Sequence, residues 1–105
     1  MSETPRLPEL LEKAKGLPFS PGVYIMKNRQ GQIIYIGKAK ALQRRVSQYF
    51  MHVESHEPKV VKMIENVDHF DYNLTSSEFE ALVLECSLIK QNRPKHNILM
   101  KDDKG

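Results

Sequence analysis

The sequence predicts a small α/β (α+β) domain in which helices flank a three-stranded antiparallel sheet. Its 105 residues, 40% of them hydrophobic and 28% charged, fit one globular unit spanning residues 1–105. Three short segments are rich in β-branched and aromatic residues, and four longer ones repeat apolar residues at helical spacing. Their order along the chain is helix, strand, strand, helix, helix, strand, helix.

The first helix and the hairpin after it are defined by their boundaries. Leu7 to Ala14 has helical spacing, and Gly16 follows as a cap. Gly22 to Lys27 and Gln32 to Ile36 read as strands, joined by a four-residue turn that ends at Gly31. Both strands are apolar on both faces, so we expect helices to cover each side of the sheet.

A symmetric closure of the hairpin places Tyr24 opposite Tyr35 on one face of the sheet. In an arbitrary hairpin such a pair would more often only pack. Gly37 and Lys38 follow at once, with a backbone open to close approach and a cationic donor where the next helix begins. These features suit a phosphate at the strand end.

The remaining elements follow from periodicity and caps. Ala41 to Phe50 and Pro58 to Val67 have one apolar face each, and His69 to Leu74 alternates like an edge strand. The segment Thr75 to Glu78 resembles a capping box, with Glu78 in a capping role, and opens a helix that runs to about Gln91.

Two charged residues stand out on these helices. Arg45 lies on the flank of its helix beside Tyr49 and can reach the sheet, whereas Arg44 lies opposite the apolar stripe and is expected in solvent. The last helix is apolar on two faces and is expected to be sandwiched, with Cys86 in the core. Glu85 falls between those faces, where its carboxylate needs a cation or hydrogen-bond donors to remain ionised. A magnesium ion and a salt bridge both satisfy that need.

Charge is segregated along the chain, whose formal net charge is +3. Eight basic residues and no acid occupy the stretch from Lys13 to Val53, whereas Glu54 to Glu85 holds eight acids and two lysines. This suits a polyanion that binds one side of the molecule, although a solvated basic surface explains it equally well.

The single cysteine favours a reducing, cytoplasmic location, and no segment is apolar enough to span a membrane.

Taken in order, these residues resemble the signature of the GIY-YIG nuclease family. The matching positions are Gly22-Val23-Tyr24, Tyr35-Ile36-Gly37-Lys38, Leu42, Arg45, Tyr49, Glu85 and Asn97. Within the family the chain is similar to the UvrC subgroup from about Leu17 to its last residue. Ser87 and His96 stand where that subgroup often has Asn and Tyr, and neither is a catalytic position.

The resemblance implies a metal-dependent DNA endonuclease that makes the 3′ incision beside a lesion in nucleotide excision repair. Glu85 would bind a single Mg²⁺ or Mn²⁺, Tyr35 would take the proton from the attacking water, and Arg45 would neutralise charge on the phosphate. Lys38, Arg45 and the metal would favour the phenolate of Tyr35. Tyr24 and Tyr49 would position water and phosphate, and Asn97 would brace the edge of the site. The resemblance also implies DNA contact by Lys38, Lys40, Arg44 and Arg45, and close backbone approach at Gly22 and Gly37.

The same resemblance implies damaged duplex DNA as substrate and an N-terminal place in a longer protein, which would bind UvrB through regions outside this chain. The isolated domain is expected to be monomeric. Two alternative functions remain: a DNA-docking module without turnover, and a stand-alone GIY-YIG nuclease of another pathway. Inactive relatives should lack Arg45 or Glu85, and this chain has both.

Overall fold

The structure, a computed structural model, describes residues 7–101, with side chains described as far as residue 99. The elements are α1 (Leu7–Lys15), β1 (Gly22–Lys27), β2 (Ile33–Ala39), α2 (Leu42–Phe50), a 3-10 turn (Val53–Ser55), α3 (Pro58–Glu65), β3 (His69–Leu74), α4 (Glu78–Asn92) and α5 (Lys95–Lys101). The predicted order is confirmed, and the 3-10 turn and α5 add to it. No helix in the described part of the chain is long and apolar enough to cross a membrane.

The three strands form one antiparallel sheet in the order β2-β1-β3. β1 is therefore central, and β3 is an edge strand as its alternating pattern predicts. The turn between β1 and β2 is closed by a hydrogen bond from the Gly31 N–H to the Asn28 carbonyl, and Gly31 has a positive φ of 82°. That conformation favours glycine, so the turn residues set where the hairpin reverses.

The predicted hairpin register is wrong by two residues, because the connection between the strands is longer than predicted and a β-bulge follows it. Tyr24 pairs with Gly37 rather than with Tyr35, which pairs with Met26. The register shifts between Met26 and Lys27, so Ile34 has no partner in β1. Lys27 pairs with Ile33 rather than with Gln32, so the connection displaces the pairing by one residue, and the bulge displaces every later pair by a second.

Apolar residues cover both faces of the sheet, as the strand composition predicts. On one face α1, α2 and α3 pack over Tyr24, Met26 and Phe70, forming the larger core. On the other face α4 contributes Ala81, which is fully buried with Val23 and Ile36 of the sheet. The sheet is thus the middle layer between two unequal groups of helices.

The prediction that the last helix is sandwiched is wrong for its outer face. Leu84 and Leu88 pack toward the sheet, but Phe79 is 73% exposed, Val83 is 52% exposed and Cys86 is also exposed. The helical wheel identifies two apolar faces without saying which is covered. Within residues 7–99 only the inner face has a packing partner.

The cap of α4 also differs from the prediction. The N-cap is Ser77, whose hydroxyl accepts a hydrogen bond from the Glu80 N–H. The Glu80 carboxylate in turn accepts hydrogen bonds from the Ser76 N–H and hydroxyl. Glu80, three residues after the cap, therefore has the capping role that the sequence assigned to Glu78.

Candidate active site

Three tyrosines from three elements meet on the larger-core side of the sheet. Tyr24 lies on β1, Tyr35 on β2 and Tyr49 on α2, with ring centroids 5.6 to 6.4 Å apart. The hydroxyls of Tyr24 and Tyr49 share a hydrogen bond of 2.7 Å. Their convergence places several phenolic hydroxyls in one small region, where they can bind water or phosphate oxygens.

Glycines make this convergence possible. Tyr24 and Tyr35 are diagonal neighbours rather than a facing pair, with centroids 6.2 Å apart. The position opposite Tyr24 is Gly37, where a Cβ would collide with the phenol of Tyr24. At Gly22 a Cβ would collide with the Asn73 carbonyl on β3. Both glycines of the sequence motif thus permit close approaches that a larger residue would prevent.

Arg45 joins the tyrosines, as its place on α2 predicts. Its guanidinium carbon lies 5.6 Å from the centre of the Tyr49 ring, a cation–π distance. Interaction with Tyr24, including a side-chain hydrogen bond, raises the pKa of Arg45, and partial burial opposes that rise. Arg45 therefore remains cationic and adds positive charge to the cluster.

Burial keeps the phenols of Tyr24 and Tyr35 neutral. It is the main cause that raises the pKa of Tyr24 well above its ordinary value, followed by the neighbouring Tyr49 and Tyr35. Burial likewise raises the pKa of Tyr35, with Tyr49 next, whereas Arg45 lowers it and Glu85 raises it. A phenolate at Tyr35 therefore requires more positive charge than Arg45 alone provides.

Glu85 lies half-buried on α4 between the sheet and solvent. Burial raises the pKa of its carboxyl group, and the charge and backbone N–H of Lys38 lower it. Among the described side chains Glu85 forms no ion pair, so the predicted alternative of a salt bridge is not observed. Its carboxylate is thus only partly neutralised, as suits a ligand of a hard cation.

The metal-binding capacity of the region rests on this carboxylate. Within the described residues no group of three or more His, Cys, Asp or Glu side chains could hold a metal ion. An ion bound to Glu85 would therefore need further ligands, which water and a substrate phosphate can provide. Magnesium commonly binds proteins in this way.

Asn97 braces the edge of β2. Its side-chain oxygen accepts a hydrogen bond of 2.7 Å from the Ile36 N–H, and its amide donates one of 2.9 Å to the Ile36 carbonyl. Ile36 lies between Tyr35 and Gly37, so Asn97 fixes the strand where the site begins. The sequence does not predict the helix α5 that carries Asn97, because Pro94 indicates the end of the preceding helix, although proline also starts helices.

A basic cleft adjoins the tyrosines. It has a volume of about 410 Å³ and is lined by Lys38, Ala39, Lys40, Ala41, Arg44, Arg45, Gln48 and Glu78. All four predicted DNA-contacting residues thus line one concave surface. Lys38 and Arg45 connect this surface with Glu85 and with the tyrosines.

His56 belongs to the site's surroundings, a place that the sequence does not predict for it. Its Nε2 lies 2.9 Å from the Gln48 carbonyl oxygen, and its ring centroid is 6.4 Å from that of Tyr49. His56 follows the 3-10 turn, which was not predicted. A contact made through an irregular segment has no periodicity from which it could be inferred.

Comparisons with known proteins identify the class to which this fold and site belong. The family described as "UvrC-like GIY-YIG domain" matches residues 20–98. The protein named "UvrABC system protein C" from Clostridium botulinum (strain Hall) is 56% identical over 96 residues, which cover 91% of this chain and 16% of that protein. Its namesake from Caldanaerobacter subterraneus is 54% identical over 97 residues, again covering 16% of the longer protein.

A solved structure agrees with these relatives. The N-terminal GIY-YIG endonuclease domain of UvrC from Thermotoga maritima, bound to magnesium as its catalytic divalent cation, is 40% identical, with a TM-score of 0.75. The match covers 84% of this chain and 94% of that one. The chain therefore belongs to the UvrC-like GIY-YIG domain family. It spans about a sixth of the length of the curated relatives it matches.

Proposed function

We propose that this chain is the endonuclease domain that cuts a DNA strand on the 3′ side of a lesion during nucleotide excision repair, as one unit of a longer protein. The observation that carries the proposal is the meeting of three phenols, Arg45 and a partly neutralised Glu85 beside one basic cleft. A DNA-docking module without catalysis would have no need for this arrangement.

Glu85 is the residue that would hold a divalent ion, either magnesium or manganese. Its half-buried carboxylate lacks an ion pair among the described side chains, which supports this role. When bound, the ion would polarise the scissile phosphate and stabilise the leaving oxygen. Magnesium is the ion named for the Thermotoga maritima domain.

Tyr35 takes the proton from the attacking water, directly or through a relay. Its hydroxyl interacts with that of Tyr49, which is hydrogen-bonded to Tyr24, so the neighbouring phenols can hold the Tyr35 hydroxyl in place beside the attacking water. Because burial favours the neutral phenol, Tyr35 acts as a base only when positive charge is gathered beside it.

The other residues position the water and the phosphate or stabilise the transition state. Arg45 is held beside Tyr49 and neutralises charge that grows on the phosphate in the transition state. Tyr24 and Tyr49 orient water and phosphate through their hydroxyls. Lys38 partly neutralises Glu85 and reaches the cleft, and Asn97 holds β2 so that Tyr35 keeps its place.

DNA is the substrate, and its backbone meets the cleft formed by Lys38, Lys40, Arg44 and Arg45. These side chains can contact phosphates, and no described element is shaped to read base edges. We therefore expect weak, salt-sensitive binding with little sequence preference.

We further propose that the domain is monomeric and that the longer protein binds UvrB elsewhere. We propose that it acts in the cytoplasm, where the exposed thiol of Cys86 would stay reduced.

Incision by the full-length protein tests the proposal. The protein, with UvrA and UvrB, is given a duplex carrying one lesion and labelled so that 3′ and 5′ cuts are resolved. Arg45→Ala should remove the 3′ product, with a loss of at least about a hundredfold if charge stabilisation is its role. A normal 3′ cut in this variant would contradict the proposal.

A nicked substrate controls for damage elsewhere in the protein. We propose that a separate domain of the longer protein makes the 5′ cut, so a duplex nicked in advance at the 3′ position should restore that cut in Arg45→Ala. The exposed residue Arg29, in the turn between β1 and β2, offers a matched control. Arg29→Ala removes the same charge and should leave both cuts intact.

A further inference from the structure

The basic cleft contains one acid whose purpose the catalytic proposal leaves unexplained. Of the residues that line the cleft, four are cationic and only Glu78 is acidic. Its carboxylate lies 3.7 Å from the Lys40 ammonium. An acid beside a surface that binds a polyanion works against affinity, so its position there calls for a reason.

Glu78 is not needed to cap α4. The cap uses Ser77 and Glu80, whose side chains satisfy backbone N–H groups at the start of the helix. The two acids in the first turn of α4 therefore have different contacts. The Glu80 carboxylate is bound to Ser76, and the Glu78 carboxylate faces the cleft.

The pair formed by Glu78 and Lys40 is weak enough to exchange. Their side chains are 58% and 81% exposed, and ion pairs so open to solvent are screened and contribute little to stability. A phosphate oxygen can therefore replace the Glu78 carboxylate on Lys40 at low cost. Glu78 and phosphate would compete for the same ammonium.

The cleft is also positioned to hold the strand that is cut. Lys38 and Arg45 belong both to the cleft and to the surroundings of the tyrosines and Glu85. Glu78 and Glu85 lie on the same helix, seven residues or about 10 Å apart along its axis. A strand whose scissile phosphate is near Glu85 can thus continue into the cleft.

We propose that the cleft between Lys40, Arg44 and Glu78 holds a backbone phosphate flanking the scissile one, and that Glu78 limits DNA affinity by competing with that phosphate for Lys40. The inference rests on the proposed nuclease function and adds a binding subsite and a residue that tunes it. An acid in this place keeps cut DNA from being held too tightly, which favours its release.

Matched substitutions on the first turn of α4 test the proposal. Glu78→Gln and Glu80→Gln remove the same charge from the same helix end, but only the first removes it from the cleft. We expect Glu78→Gln to bind a short fluorescein-labelled duplex about two- to fivefold more tightly at low salt, by fluorescence anisotropy. Glu80→Gln should change affinity less, since its carboxylate lies outside the cleft.

Lys40→Gln completes a double-mutant cycle. Alone it should weaken binding, and in its background Glu78→Gln should give little further gain, because the competition it relieves is gone. Glu78→Ser serves as a second neutral variant if Glu78→Gln unfolds. Equal effects of the two glutamate substitutions, or a full gain without Lys40, would overturn the inference. Failure of every form, wild type included, to bind DNA would instead contradict the proposed function.

Discussion

The phenol of Tyr24 lies directly against the backbone of Gly37, its partner across the hairpin. A Cβ at position 37 would overlap the ring carbon and hydroxyl of Tyr24. Tyr24 is almost fully buried and its hydroxyl is bonded to that of Tyr49, so it has little room to move. The absent side chain of Gly37 is therefore part of the site's geometry.

Gly37→Ala should disturb both stability and catalysis. The added methyl group must push Tyr24 out of its packed position, which we expect to cost about 1–3 kcal/mol of unfolding free energy. It should also reduce 3′ incision, because the link between Tyr24 and Tyr49 depends on that position. Urea unfolding of the domain and incision by the full-length protein measure the two effects.

Gly16→Ala is the control for this substitution. A Cβ at Gly16 would meet the Lys13 carbonyl oxygen at 3.5 Å, an ordinary contact, so a change within about 0.5 kcal/mol is expected. If Gly37→Ala changed the unfolding free energy as little, Tyr24 would have room to shift, and the close fit between Tyr24 and Gly37 would be incorrect.

Tyr35→Phe should separate chemistry from folding. Loss of one hydroxyl leaves the ring to pack, so stability should change little, while 3′ incision should fall by about 10²- to 10⁴-fold if Tyr35 is the base. Tyr24→Phe differs because it breaks the buried hydrogen bond to Tyr49, at a cost of about 1–2 kcal/mol. Normal incision by Tyr35→Phe, together with failure of Tyr24→Phe, would move the role of base to Tyr24.

The hairpin shows what the sequence can and cannot determine. Strand identity, the turn and the shared face of Tyr24 and Tyr35 follow from periodicity and turn chemistry. The register does not, because a bulge at Ile34 leaves no signal in the residue pattern. The two tyrosines still come together, since residues diagonal across two strands remain within reach of aromatic rings.

Helix α4 marks a second boundary of sequence reasoning. The wheel correctly places Glu85 beside an apolar face, because that position depends only on helical geometry. It cannot tell that the face of Phe79 and Val83 lacks a cover within the described residues. Whether a helix face is covered depends on the tertiary structure. So does the hydrogen bond between Asn97 and Ile36, which joins residues 61 positions apart in the sequence.

Ser47→Ala should stabilise the domain. Ser47 is buried on α2, and among the described residues its hydroxyl has no hydrogen-bond partner. Removing a buried, unsatisfied hydroxyl should gain about 1 kcal/mol, beyond the roughly 0.5 kcal/mol that alanine adds to a helix. Thermal unfolding measures the shift, about 4–8 °C per kcal/mol in a domain of this size.

Ser87→Ala is the matched control, since Ser87 is an exposed residue within α4. It should show only the gain from helix propensity. A gain at Ser47 no larger than that at Ser87 would mean that the buried hydroxyl is satisfied, for instance by an internal water molecule.

Glu85→Gln tests the proposed metal ligand most directly. The substitution is nearly isosteric and removes an anion whose pKa burial already raises, so the folded domain should keep or gain stability. Incision should be nearly abolished, because no group of three or more metal-binding side chains in the described chain could hold the ion without Glu85. DNA binding should persist, since the protein then repels phosphate less.

The effect of Mg²⁺ on the melting temperature distinguishes a metal ligand from an acidic residue that has only a structural role. A metal that binds only the folded state raises its stability by mass action, so Mg²⁺ should raise the melting temperature of the wild type and of Glu54→Gln, an exposed control in the 3-10 turn. It should not do so in Glu85→Gln. If Glu85 instead served only to neutralise Lys38, its substitution would lower the melting temperature and spare incision. An unstable but active Glu85→Gln would therefore end the metal-ligand proposal.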